Sequence, residues 1–176
     1  RIRTGYHKRN TMEKIHGYEK ENSDGRNRPF TERLVNMSKV AVVYWSGGGN
    51  TAQMATAVME GIQAAGGEAT VFFAGEFDSS KMDDFDAIAF GCPAMGAEVL
   101  EESEFEPMFR DCESKLSDKK IVLFGSYGWG DGEWMRTWES ECKADGAVFA
   151  YPCVIAHETP DEDVIAQCKA AGKALV

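Results

Sequence analysis

The apolar run Val40-Ala41-Val42-Val43-Tyr44-Trp45 leads straight into Ser46-Gly47-Gly48-Gly49-Asn50-Thr51 and then into a segment with apolar residues at helical spacing. An unbroken apolar run of this length fits a strand buried on both faces, as in the middle of a parallel sheet. The spacing of Met54, Ala55, Val58, Met59 and Ile62 predicts a helix over 51–65, stopped by Gly66-Gly67. Strand, glycine turn and helix in this order make the start of a crossover unit, in which the helix covers one sheet face and returns the chain to a parallel neighbour.

The rest of the chain repeats the alternation. Further strands are expected over 69–74, 86–91 and 121–125 and within 147–155; helices are expected over about 103–116, over 133–144, and from 160 or 161 to about 175. Five strands with crossover helices make a doubly wound α/β sheet, whose ligands sit beyond the carboxyl ends of the strands. The loops after strands one, three and four are therefore the expected functional ones.

Charge divides the chain. Residues 1–36 carry nine Lys/Arg against five Asp/Glu, a net of +4, whereas residues 37–176 carry ten against 24, a net of −14. The shift sets a boundary near Met37, with 1–36 as a basic leader and 37–176 as the folded domain. The leader's apolar residues follow no period and form no secretory h-region, so disorder or a vector-encoded or upstream origin is expected for it. An acidic domain argues against nucleic acid or an anionic membrane as partner. The uncharged stretch from Val40 to Met59 is broken in its middle by Ser46–Thr51 and is not read as a membrane span. Cys92, Cys112, Cys142, Cys153 and Cys168 are odd in number and contain no C-x-x-C pair, so neither a disulfide framework nor a metal site is encoded. They read as small apolar core residues, and a reduced cytoplasm is the expected location.

Three loops carry the chemistry. Ser46, Gly47, Gly48, Gly49, Asn50 and Thr51 join a buried strand to a helix start, where backbone N–H groups converge on an anion such as phosphate. No Lys-Ser/Thr pair follows these glycines, which excludes the nucleoside-triphosphate loop. Gly91-Cys92-Pro93-Ala94-Met95-Gly96-Ala97-Glu98 offers a soft methionine outside any helical stripe, suited to the face of a planar ligand. Gly125-Ser126-Tyr127-Gly128-Trp129-Gly130-Asp131-Gly132 sets two aromatics among four glycines, and Trp129 has no periodic link to the core. Together they describe a mononucleotide bearing a flat heteroaromatic ring. The acidic stretch Glu98, Glu101, Glu102, Glu104, Glu106 reads either as a docking surface or as an ordinary solvated helix start. His157 reads as a surface residue.

These three motifs, in this order and spacing, resemble the short-chain flavodoxins of the anaerobic, clostridial-type bacterial group, over about residues 38–176. The resemblance implies a flavodoxin-like three-layer α/β sandwich with a five-stranded parallel sheet of order 2-1-3-4-5, one noncovalent FMN, and one-electron transfer at low potential between redox enzymes, with no catalytic residue. It further implies that Ser46 to Thr51 and Ser126 bind the phosphate, that Met95 and Trp129 sandwich the isoalloxazine ring, and that Gly96 turns its carbonyl toward flavin N5. Glu98 would accept from flavin N3–H, and Gly128 and Gly130 would donate backbone N–H groups near N1 and O2. Pro93, Ala94 and Tyr127 complete the expected contacts. Partners would be redox enzymes with basic docking surfaces near iron–sulfur or flavin centres, met by a monomer. Gly48 and Pro93 depart from the Thr and the frequent Ser of the family, which predicts weaker FMN binding. The competing reading, an FMN-dependent NAD(P)H:quinone oxidoreductase of the same fold, would need added length for a substrate pocket that the domain does not show. A phosphoacceptor receiver domain would need acidic residues where Trp45-Ser46 and Gly91-Cys92 stand.

Overall fold

The computed structural model describes residues 37–176. The expectations for residues 1–36 lie outside the described residues. The chain runs β1 (Lys39–Tyr44), α1 (Asn50–Ala64), β2 (Glu68–Phe73), β3 (Ala87–Gly91), α2 (Phe105–Cys112), β4 (Lys120–Tyr127), α3 (Glu133–Ala144), β5 (Val148–Phe149), β6 (Val154–His157) and α4 (Glu162–Ala174). The sheet order is β2-β1-β3-β4-β5, with β6 also paired to β4, and every pairing is parallel. The expected fold class and strand order are those observed.

Alternation along the strands builds two cores. Val40 and Val42 of β1, Ala87 and Ala89 of β3, and Val122 and Phe124 of β4 face α1 and α4. Val43, Ile88, Phe90, Ile121 and Leu123 face the other way, against Phe105 and Phe109 of α2 and Trp134 and Trp138 of α3. Central strands buried on both faces explain why they read as unbroken apolar runs.

On the first face α1 and α4 approach so closely that neither can carry a side chain at the crossing. A Cβ at Gly61 would overlap the Lys169 carbonyl of α4, and a Cβ at Gly172 would overlap the Val58 carbonyl of α1.

Three departures from the sequence reading have physical causes. The fifth strand is split: β5 pairs at Ile121↔Phe149 and β6 resumes at Phe124↔Val154, so the edge chain carries two more residues than β4 over the same rise. Pro152, which cannot donate to a ladder, lies in that bulge. The β2–β3 connection, where the sequence reading placed no element, holds two 3₁₀ turns, Ala74–Glu76 and Ser79–Asp84, pinned by buried Phe77 and Met82. β4 also runs to Tyr127, which places Ser126 in the strand rather than in the loop.

The helix expected over 103–116 begins at Phe105, and its start is fixed by a buried carboxylate. Glu101, only 5% exposed, accepts hydrogen bonds from the backbone N–H groups of Ser103, Glu104 and Phe105, each at 2.9 Å, and from the Ser103 hydroxyl. Burial works to raise its pKa, but the hydrogen bonds from Ser103, Phe105 and Glu104 outweigh it and hold the group below the ordinary glutamate value. Because the folded pKa is depressed, the stabilisation is present above the unfolded value of about 4.3 and is lost as pH falls through the lower folded value. Glu101→Ala should destabilise the flavin-free chain by about 1–2 kcal/mol at pH 7, the scale of a lost helix cap. The deficit in denaturant midpoint should shrink on acidification toward pH 3.

Candidate functional site

The expected functional loops follow β1, β3 and β4, which are adjacent in the sheet, so their carboxyl ends open onto one edge. The first loop is folded on itself. Ser46 Oγ accepts from Gly49 N (3.1 Å) and Ala52 N (3.3 Å), bending the chain into the first turn of α1. Gly49 stands at φ +93°, a left-handed conformation that favours glycine at this helix start. The first N–H groups of a helix have no intrahelical partner and face outward as anion donors.

Behind them, Thr51 Oγ1 and Ser126 Oγ lie 3.2 Å apart. They are 1% and 6% exposed, one from the first turn of α1 and one from the end of β4. When one hydroxyl donates to the other, the second still has a proton to give. A helix amino end backed by paired hydroxyls suits a phosphate monoester. Asn50 opens α1 and is half-buried, while Gly47 and Gly48 are exposed.

The second loop is rooted by Cys92 N donating to Phe124 O (3.1 Å) and Ala94 N donating to Ser126 O (2.9 Å). Cys92 O accepts from Trp134 Nε1 at 3.2 Å. Met95 and Val99 exchange backbone hydrogen bonds of 2.8 and 2.9 Å, closing a tight hairpin over Gly96, Ala97 and Glu98. Pro93 and Ala94 are half-buried just before it, and Met95, in the pair that closes it, is 37% exposed.

Glu98 ties this hairpin to the third loop. Its Oε1 accepts from the backbone N–H groups of Asp131 (3.2 Å), Gly132 (3.0 Å) and Glu133 (3.1 Å) at the amino end of α3. Glu98 itself is held at φ +55°, a strained conformation for a glutamate that the surrounding bonds enforce. Gly130 stands at φ +86°, and a Cβ there would run into the Glu98 carboxylate. Among the described residues Oε2 of Glu98 has no hydrogen bond.

In the third loop the two aromatics part company. Tyr127 is half-buried, its ring 5.5 Å from that of Trp134 and 5.1 Å from that of His157. Trp129 is 64% exposed, between exposed Gly128 and Gly130. A large apolar face left in water beside an anion cradle fits a flat ring carried on a phosphate ester.

Sequence reading missed three features of this edge. Glu101, read as part of an acidic surface, is a buried helix cap; a carboxylate just before an apolar helix start was the available signal. Trp134, which holds the base of the second loop, carried no signal. The turn after β6 lies beside the site: Glu158 N donates to Tyr127 O (2.8 Å), with Glu158 at φ +60°. Of the acidic stretch, Glu98 and Glu101 are bonded inside the fold and Glu106 pairs with Arg110 at 3.2 Å, leaving Glu102 and Glu104 exposed.

Burial pushes all five thiols up, those of Cys112, Cys153 and Cys168 to about 12, so none is a ready nucleophile. Among the described residues no group of three His, Cys, Asp or Glu could hold a metal ion, and no helix is long and apolar enough to cross a membrane.

A doubly wound sheet with a helix amino end backed by paired hydroxyls, and an exposed aromatic at the same carboxyl edge, has the make-up of a mononucleotide-binding protein. Residues 42–172 match the flavodoxin family profile. The chain is 44% identical over 121 residues to a flavodoxin of Clostridium beijerinckii, covering 69% of this chain and 88% of that one. It is 43% identical over 138 residues to a flavodoxin of Megasphaera elsdenii, covering 77% and 96%. The solution structure of two-electron reduced Megasphaera elsdenii flavodoxin superposes with a TM-score of 0.72 at 42% identity, over 77% of this chain and 97% of that one. A flavodoxin from the domain Archaea superposes with a TM-score of 0.70 at 25% identity, over 78% and 95%. The chain belongs to the flavodoxin family: it is an FMN-binding electron carrier, not an enzyme with a substrate of its own, and the quinone-reductase reading is not favoured.

Proposed function

We propose that the chain is a low-potential one-electron carrier that holds FMN across the three loops and passes electrons between redox enzymes. The observation that carries the assignment is the buried Thr51–Ser126 hydroxyl pair behind the amino end of α1, with Trp129 exposed on the same edge. In this reading Ser46, Gly47, Gly48, Gly49, Asn50, Thr51 and Ser126 hold the phosphate. Met95 and Trp129 cover the ring faces, Gly96 offers its carbonyl toward N5, and Pro93, Ala94 and Tyr127 shape the walls. Gly128 and Gly130 donate backbone N–H groups to the pyrimidine end. Glu98 meets N3–H through Oε2, because Oε1 is committed to α3.

FMN, when bound, supplies the one-electron chemistry. The protein contributes orientation, exclusion of water from the ring faces, and an unfavourable field for added negative charge. The net charge of −14 on residues 37–176 supports the low potential. Exposed Glu102, Glu104, Asp131 and Glu133 around the site support partners with basic surfaces near iron–sulfur or flavin centres. Five free cysteines, four of them buried, support a cytoplasmic location, and a monomer suffices for the site.

Denaturing the purified yellow full chain should release one FMN per chain, since among the described residues one glycine loop leads from a central strand into a helix start backed by paired hydroxyls. Release of FAD would overturn the reading.

A further inference from the structure

Arg136 stands where an isolated helix would not place it. It is the fourth residue of α3, and a cation in the first turn opposes the positive end of the helix dipole. Its side chain accounts for the position by turning back onto the loop before the helix. Nη1 donates to the Asp131 carbonyl at 3.0 Å and Nη2 to Asp131 Oδ1 at 2.7 Å, so the planar fork closes on one residue. Glu98 Oε1 accepts from the N–H of the same residue. Asp131 is therefore fixed at its N–H, its carbonyl and its carboxylate. Its neighbours Gly130 and Gly132 have left-handed φ values of +86° and +91°. Among the described residues no side chain other than those of Glu98 and Arg136 bonds to residues 128–132.

We propose that Arg136 is the positioning residue of the aromatic platform: its grip on Asp131 sets where the glycine-rich loop carries Trp129, and thereby how firmly a flavin ring is held. The proposal rests on the reading that Trp129 covers a face of that ring. Without the guanidinium, Asp131 keeps only its bond to Glu98, and Gly128, Trp129 and Gly130 gain freedom that the ring must remove on binding. The cost falls on the ring and not on the phosphate, because neither Arg136 nor Asp131 bonds to the first loop. Both side chains are exposed, so the pair adds little to the fold itself, and loss of the Arg136 charge relieves the helix dipole.

The test uses the full chain stripped of flavin, titrated by quenching of flavin fluorescence with FMN and with riboflavin, which shares the ring but lacks the phosphate. Arg136→Gln should bind both flavins about three- to fivefold more weakly, the scale of one well-formed exposed ion pair, with the urea midpoint of the flavin-free chain unchanged. Arg136→Lys keeps the charge but loses the fork, and should fall between the two. In a Trp129→Ala background the same Arg136→Gln change should cost nothing further, because the platform it positions is gone. Weakened FMN binding with riboflavin unaffected would make Arg136 a counter-charge for the phosphate. A lowered urea midpoint would make it a residue of the fold, and an undiminished loss without Trp129 would uncouple it from the ring. Each of these results, or equal affinities in Arg136→Gln and the natural chain, would overturn the proposal. A natural chain that binds neither flavin would overturn the FMN reading itself, an outcome distinct from any of these.

Discussion

Gly172→Val is expected to destabilise the flavin-free chain by about 3 kcal/mol, the upper part of the range for overpacking a tight core contact. At the crossing of α1 and α4 the new Cβ would overlap the Val58 carbonyl, and the obstacle is backbone, which no rotamer change can clear. The helices must separate. That opens voids around Val58, Ile62, Cys168 and Ala171, all buried at this interface. Alanine in a helix interior is worth up to about 1 kcal/mol over glycine, so Gly172→Ala sets an intrinsic gain against the same clash and should cost less than valine. Gly61→Val should behave alike, through the Lys169 carbonyl. Urea midpoints measure both, with Gln167→Val on the exposed face of α4 as the control. A loss below about 1 kcal/mol at either glycine would mean that the helices are not in this close contact.

Trp129→Ala is expected to weaken FMN binding by about 1–3 kcal/mol, the worth of one aromatic stacking partner. Because the ring is 64% exposed, its removal should leave the stability of the flavin-free chain almost unchanged. That combination separates a ligand platform from a core residue. Trp134→Ala should do the reverse, since its buried ring and its bond to Cys92 O support the fold beneath the second loop. An unchanged FMN dissociation constant in Trp129→Ala would leave that side chain without a role in the site.

The parts of this account that were legible in the sequence are those written in local patterns. Val40–Trp45 announced a doubly buried strand, and Ser46–Thr51 its glycine turn, because period and turn chemistry are properties of neighbouring residues. What was hidden depends on residues far apart in the chain. Nothing near Gly61 or Gly172 says that each faces the other's helix, and nothing near Glu98 says that its carboxylate reaches the amino end of α3, more than thirty residues on. The split of the last strand followed from Pro152 only once the pairing with β4 was known. The acidic stretch shows a different limit: like residues in one run serve as tie, cap and solvated surface, and only burial separates Glu101 from Glu102.

The central claim is that FMN lies across the loops after β1, β3 and β4. Amide hydrogen exchange of the flavin-free full chain, with and without FMN, addresses it directly. Slowed exchange is predicted in three separate segments, 46–52, 92–99 and 126–132, with the exposed amides of 162–174 unaffected. Saturable FMN binding that slows exchange elsewhere and leaves those three segments unchanged would contradict the account.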